Sequence, residues 1–289
     1  YSLSNAVLKK IKDKGEIKII LMQCGNQVHY DMDNSLHKTN NNPIQPIYEI
    51  NEIWTLPHHS INKSYLKTYN KCNDVNEVPY IWNSKILDTK LEELNLLKDQ
   101  VIQSDSNKSN ILIMEPNFSF TKNYLIPLFI VESYEHKNPC TLNKCTILGG
   151  THLTDNDFFM NLIINSDIYK KRKDFLFVKK RKEFLPAIIE NGSIIITHQI
   201  QNELNNLYFD CLYLNLPIIH NSRTISNAGY FYEENNINRA SELLNEVINN
   251  HNKEIKNYEK KSKSIINSYD INNISNQNKY NQLIYKLIY

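Results

Sequence analysis

Apolar runs of strand length alternate with amphipathic stretches of helix length along this chain, which predicts an α/β protein. The sharpest pattern spans residues 193 to 222. Ile194, Ile195 and Ile196 form a short β-branched run, typical of a parallel strand covered on both faces. The run stops at Thr197-His198-Gln199, and the spacing predicts a helix opening around Asn202. Leu204, Leu207, Tyr208, Cys211 and Leu212 then recur as one apolar stripe, with Asn202, Asn206 and Asp210 on the opposite face. Pro217 ends the helix, and Ile218-Ile219 opens a second strand that ends in His220-Asn221-Ser222. In an open α/β sheet, ligands bind beyond the carboxyl ends of the strands. Two successive strands that both end in His plus amide therefore mark a site.

The same periodicities organise the rest of the chain. Residues 2–14 read as an amphipathic helix closed by Gly15, and 16–22 as a strand ending in Gln23-Cys24-Gly25-Asn26. Residues 28–50 are polar and irregular, with a loop at Asn40-Asn41-Asn42-Pro43. A strand over 52–56 closes on Pro57-His58-His59, a helix covers 60–69, and 75–82 is a strand or linker broken by Pro79. A helix is predicted over 87–101 and a solvated linker over 104–110. A second α/β run follows: strand 111–114, loop Glu115-Pro116-Asn117, helix 121–136, strand 145–148, helix 155–163, strand 175–178 and helix 182–189. Residues 229–235 read as a loop and 239–251 as a helix. The tail from 252 is polar, with Leu283-Ile284-Tyr285 and Leu287-Ile288-Tyr289 marking a terminal helix.

This cadence predicts two Rossmann-like domains. Residues 1–84 form a partial first domain, 85–268 a second, and 269–289 a helix able to pack back on the first. The first is short for a doubly wound domain, so strands amounting to roughly 80–100 residues are expected to precede it in the whole protein.

Composition narrows the function. Among 289 residues, 33 Lys and Arg against 31 Asp and Glu leave a net charge of +2, which offers no electrostatic footing for nucleic acid. Nine His and 18 Tyr supply polar tips on flat rings suited to sugars and bases. Abundant Asn, Ile and Lys with only six Gly suggest an AT-rich genome, so a single Asn carries less weight as a site candidate. Five cysteines form no CxxC pair, which favours free thiols in a reducing compartment, the cytoplasm, over zinc or disulfides. No apolar run reaches membrane-spanning length.

Three constellations could carry chemistry. Glu115-Pro116-Asn117 followed by Thr121-Lys122 at a helix start would offer unpaired N–H groups and a mobile cation to a diphosphate. The competing reading is a simple cap by Asn117, Ser119 or Thr121 with Lys122 in solvent, and no glycine-rich phosphate motif is present. Around 198–210, Asp210 could accept ribose hydroxyls, or could sit on the solvated face of its helix; His198 could serve a ligand or be structural. Pro57-His58-His59 could supply a neutral general base, or be an exposed loop. The run Lys179-Lys180-Arg181-Lys182 is a solvated turn or faces a phosphate.

The blocks EIWTLPHHSINKSYLKTYN (52–70), VPYIWNSKIL (78–87), ILIMEPNFSFTKNYLIPLFIVES (111–133) and THQIQNELNNLYFDCLYLNLPIIHNSR followed by GYFY resemble a poorly characterised group of bacterial and viral GT-B glycosyltransferases, once labelled a domain of unknown function. The resemblance runs from about Gly15 to about His251. The family's last block reads HQWEN, NYLYLDALY and YPLVHNS; this chain departs from it at Ile200 and Gln201. The resemblance implies two facing Rossmann-like domains, with the second holding a nucleotide-sugar donor. It implies Lys122 on the donor phosphates and Asp210 on the ribose, with Asn202 where an acidic residue is usual.

The expected function is transfer of a sugar from a nucleotide sugar to a hydroxyl of a glycan or protein, without a metal or other cofactor. Arg181 and helix N–H groups join Lys122 in stabilising the departing diphosphate. His198 hydrogen-bonds sugar or phosphate, and His59 serves the acceptor side. Glu115, Asn117, Gln199, Asn205, His220 and Asn221 complete the donor-binding set with Lys122, Arg181, His198, Asn202 and Asp210. The alternative is a non-catalytic nucleotide- or sugar-binding module of a larger protein. The expected location is the cytoplasm, or the host's if the source is viral.

Overall fold

β-Branched runs become parallel strands and amphipathic stretches become helices in a computed structural model that describes residues 3–37, 46–101, 109–192 and 194–289. The expected loop at Asn40–Pro43, most of the 104–110 linker, and Ser193 lie outside the described residues. Two compact units result: Tyr1–Ile81 with Tyr269–Tyr289, and Trp82–Ser268.

The first unit begins with α1 (Asn5–Lys12), whose N-cap Ser4 accepts from the Val7 N–H. It continues through β1 (Ile20–Gln23), α2 (Gln27–His37), β2 (Glu52–Thr55), α3 (Lys63–Asn70) and β3 (Val75–Glu77). The three strands pair in parallel in the order β1-β2-β3. Helix α2 corrects the expectation of an irregular 28–50 segment. It has little apolar periodicity, and polar bonds hold it instead: Gln27 donates to Asp31 at 2.9 Å and Tyr65 to Asp31 at 2.7 Å. Pro57–Asn62 forms a 3-10 turn ahead of α3.

The second unit opens with α4 (Lys85–Glu93). The helix expected through Val101 breaks at Asn95, whose φ is 52°. Then follow β4 (Asn110–Ile113), α5 (Leu125–Lys137), β5 (Lys144–Leu148), α6 (Asp157–Asn165), α7 (Asp167–Lys171), β6 (Leu176–Lys179), α8 (Phe184–Asn191) and β7 (Ile194–Ile196). After these come α9 (Asn206–Tyr213), β8 (Ile218–His220), β9 (Tyr230–Phe231), α10 (Ile237–Asn250) and α11 (Ile255–Tyr269). The last helix, α12 (Ile274–Ile288), belongs to the first unit, where Tyr280 donates to the Pro79 carbonyl at 2.9 Å and its ring lies 5.8 Å from that of Trp54.

The six strands of the second unit are parallel in the order β6-β5-β4-β7-β8-β9. Counted within the unit this is 3-2-1-4-5-6, the doubly wound order whose direction reverses between the first and fourth strands, here β4 and β7. Their side chains Ile111, Ile113, Ile194 and Ile196 join Cys145 and Ile147 of β5 in one core. Helix α5, apolar around most of its circumference, packs with α10 over this core. Strand β9 replaces the loop expected at 229–235: Gly229 (φ +67°) turns the chain so that Tyr230 pairs with Ile219. No helix among the described residues is long and apolar enough to cross a membrane. All five cysteines are free.

Candidate functional site

Because β4 and β7 are neighbours, their carboxyl ends bring Met114-Glu115-Pro116-Asn117 against Thr197-His198-Gln199. The Glu115 carboxylate is 1% exposed. It accepts from the Thr197 hydroxyl, from the Gln199 amide at 3.4 Å and from the His198 backbone N–H. Burial pushes its pKa up to about 7, against the lowering pull of the Thr197 bond, the Lys122 charge and the Gln199 and His198 donors.

Gln199 is the hub of the strand end. Its Oε1 accepts from Asn202 and Asn205, each at 2.7 Å, while its Nε2 faces Glu115. Its backbone N–H donates to Asn221 Oδ1 and its carbonyl accepts from Asn221 Nδ2, both at 2.9 Å. Asn202 lies in the loop before α9, not on the helix as its spacing suggested, because Asn205 is the N-cap: its Oδ1 accepts from the Leu207 N–H at 2.9 Å.

Residues 117–122 fold into a tight loop. Asn117 takes a left-handed φ of 59°, and its amide donates to the carbonyls of Glu115 (2.7 Å) and Leu148 (3.0 Å). A Cβ at Gly149 would come within 3.2 Å of the Glu115 carbonyl, so this close approach of β5 to the loop needs glycine. Lys122 forms an antiparallel bridge with Gln199, and the Ile200 N–H donates to the Thr121 carbonyl at 2.9 Å. Thr121 and Lys122 thus precede α5 rather than open it. Strand pairing, not a helix N-terminus, aims Lys122. Its pKa is lowered, first by burial and further by Arg181, with Glu115 opposing.

A cavity of about 640 Å³ opens beyond these strand ends. Glu115, Lys122, Arg181, Gln199, Asn205 and Asp210 line it, together with Lys182, Glu183, Phe184, Asn206 and Leu207. In the basic run Lys179 and Lys182 pair with Glu190, and both Arg181 and Lys182 line the cavity. Asp210 is not on a solvated face. Burial pushes its pKa up to about 6, against the lowering effect of a hydrogen bond from Trp82.

Other expected site residues do not reach the cavity wall. His198 is 5% exposed, with Nδ1 2.9 Å from the Tyr232 hydroxyl; burial holds its pKa at about 4, so it is neutral at pH 7. His220 is fully buried, with Nε2 donating to the Ala228 carbonyl at 2.8 Å and Nδ1 accepting from the Ser222 N–H at 3.2 Å. Both its nitrogens are engaged, which makes it a turn anchor. Asn117, Asn202 and Asn221 act on the protein's own backbone and amides. His59, in the first unit, is fully buried with its ring 3.9 Å from that of His58, not on an exposed loop. Thr197 and Trp82, which bond to the cavity carboxylates Glu115 and Asp210, are not among the residues the sequence marks as candidates. Thr197 was legible as the polar residue closing an apolar run. The partner of Trp82 lies 128 positions away, beyond any local signal.

Residues 1–284 match the family described as protein of unknown function (DUF2827). No curated protein matches the chain. Among solved structures, a glycosyltransferase from Rickettsia africae ESF-5 is 13% identical with a TM-score of 0.58, over 98% of this chain and 80% of that one. A UDP-forming α,α-trehalose-phosphate synthase from Burkholderia xenovorans is 8% identical with a TM-score of 0.60, over 98% and 76%. The pneumococcal O-GlcNAc transferase GtfA, in complex with UDP and GlcNAc, is 10% identical with a TM-score of 0.51, over 99% and 60%. At such identities the likeness is one of fold: two Rossmann-like units of the GT-B type.

Proposed function

The chain belongs to the DUF2827 family, and we propose that it is a glycosyltransferase that binds a nucleotide sugar in the cavity of its second unit and transfers the sugar to a hydroxyl acceptor. One observation carries this reading: the cavity at the switch point holds Lys122 and Arg181 together with the N-terminus of α9 and Asp210. The two cations and the N–H groups of the first turn suit a diphosphate. Asp210 stands about one turn, roughly 6 Å, further along the same helix, in the order in which a nucleotide presents diphosphate and then ribose.

In the reaction, the bond between the anomeric carbon and the diphosphate oxygen breaks with its electron pair leaving on that oxygen, the acceptor hydroxyl oxygen bonds to the anomeric carbon, and the hydroxyl proton passes to the departing diphosphate. Lys122, Arg181 and the helix N–H groups hold the charge that develops on the leaving diphosphate, and their fixed placement costs no reorganisation at that moment. The buried Glu115 supports this charge set by facing Lys122 and by tying the two strand ends together. His198, neutral and behind the wall, is engaged by Tyr232 rather than exchanging protons with substrate. Burial keeps His59 from direct contact with an acceptor. No metal is needed in this scheme, and activity is expected to survive chelation.

The structural relatives named above suggest UDP as the first probe. Thermal shift with UDP, GDP and TDP, followed by turnover of the matching nucleotide sugars, tests the reading. At least one nucleotide is expected to raise the melting temperature, as mass action requires, with slow donor hydrolysis in the absence of acceptor. Failure of all three nucleotides to bind would overturn it. A second reading, a non-catalytic nucleotide-binding module, is favoured by Asn202. It stands where the resemblance calls for an acid, and its amide is spent on Gln199. Binding with no turnover of any donor would select that reading.

A further inference from the structure

Trp82 donates its indole N–H to Oδ1 of Asp210 at 2.9 Å. Asp210 lines the cavity, whereas Trp82 is 5% exposed and does not. The indole is held on both sides of the aspartate in sequence: its ring centroid lies 6.0 Å from Phe209, near parallel, and 5.5 Å from Tyr213. Further contacts fasten the same segment to the same face of α9. The Tyr213 hydroxyl donates to Asp88 at 2.6 Å, Ser84 donates to the other oxygen of Asp88 at 2.7 Å, and Lys98 sits 4.0 Å from the Tyr213 ring centroid. Residues 82 to 98 therefore clasp residues 209 to 213, and the clasp ends on the one carboxylate that α9 presents to the cavity.

A free aspartate carboxylate rotates about its terminal torsion, which is broad. A donor fixed on one oxygen stops that rotation and leaves the second oxygen for another partner. We propose that Trp82 is a positioning residue for donor recognition: its indole N–H occupies Oδ1 of Asp210 so that Oδ2 accepts a ribose hydroxyl of the nucleotide. This rests on the nucleotide-sugar reading. It adds that a residue of the segment leading into α4 decides how that ribose is held.

Calorimetric titration of the full chain with UDP, GDP and TDP, and separately with inorganic pyrophosphate, provides the test. W82F keeps an aromatic ring for Phe209 and Tyr213 but removes the donor. In W82F the dissociation constant of the tightest nucleotide is expected to rise about tenfold, the lower end for a hydrogen bond to a charged group. Pyrophosphate, which reaches only the cations and the helix N-terminus, is expected to bind as before. In a D210A background, which removes the acceptor, W82F is expected to have no further effect on the nucleotide.

A spectroscopic arm needs no loss of affinity. The chain has two tryptophans, and Trp54 donates its indole N–H to Glu52 at 2.8 Å in the other unit. Of the two indole N–H resonances, that of Trp82 is expected to shift on nucleotide binding and in D210N, with that of Trp54 as the reference. Equal nucleotide affinity in W82F, an equal loss of pyrophosphate binding, or an unmoved Trp82 resonance would each overturn the assignment while leaving the parent reading intact. If the wild-type chain bound none of the three nucleotides, both would fall together.

Discussion

Asn221 grips Gln199 from both sides of its backbone, accepting the N–H and donating to the carbonyl, each at 2.9 Å. The tip of β8 thereby sets the conformation of the tip of β7, and Gln199 in turn holds Asn202 and the N-cap Asn205.

N221A is expected to destabilise the protein by about 1–3 kcal/mol, the range for leaving hydrogen-bonding groups without partners. Asn205 would lose its fixed acceptor, so pyrophosphate affinity is expected to fall as well. Denaturant unfolding and calorimetry read the two effects. Unchanged pyrophosphate affinity would show that the clamp does not reach the helix N-terminus.

Removing a cavity cation is expected to act on the diphosphate. K122A and R181A should each weaken nucleoside diphosphate and pyrophosphate by at least about tenfold, as loss of one charge-assisted bond implies. K122A leaves the buried Glu115 without its nearby positive charge, so its stability loss is expected to exceed that of R181A. Binding that resists both substitutions would remove the phosphate assignment.

The raised pKa of Glu115, about 7 against an ordinary 4.5, has a signed consequence. Between about pH 4.5 and 7 the folded chain keeps a proton that the unfolded chain has lost, so this group's contribution to stability falls as pH rises. Asp210, raised from 3.8 to about 6, acts in the same direction over its own window. His198 and His220, lowered from 6.5 to about 4, act oppositely, because the unfolded chain binds their protons first. The difference between E115Q and the wild type isolates the glutamate. The variant's relative stability is expected to rise by about 3 kcal/mol between pH 4.5 and 7.5. A flat difference in melting temperature across that range would contradict the raised pKa.

His220 and Gly229 form a packed turn. An added Cβ at Gly229 would stand 2.7 Å from His220 Nε2, and the glycine's φ of +67° disfavours any side chain. G229A is expected to cost about 2–4 kcal/mol by thermal or denaturant unfolding, the upper part of the range for a strained, overpacked site. The nucleotide affinity of the folded fraction should be preserved, since neither residue lines the cavity. A selective loss of affinity with normal stability would restore His220 to the binding set.

Neighbouring residues dictate most of the strands and the polar tips of β4, β7 and β8, but not β9, which stands where a loop is expected. A β-branched run such as Ile194–Ile196 can hide its surface only inside a sheet, and that demand is written in neighbouring residues. Glu115, Lys122, Arg181, Gln199, Asn205 and Asp210 were legible as candidates because each stands at a strand end or on the helix that follows. Helix α2 was not, since polar bonds to Asp31 replace the apolar stripe that would have announced it.

Long-range packing settles the rest. The order 3-2-1-4-5-6 makes β4 and β7 neighbours, and so joins Glu115 to residues more than 80 positions away. It turns His198 and His220 inward. It also gives Asp210 its indole partner. Each of these outcomes depends on which strand lies beside which, and that is settled by packing a whole core rather than by any one stretch of residues.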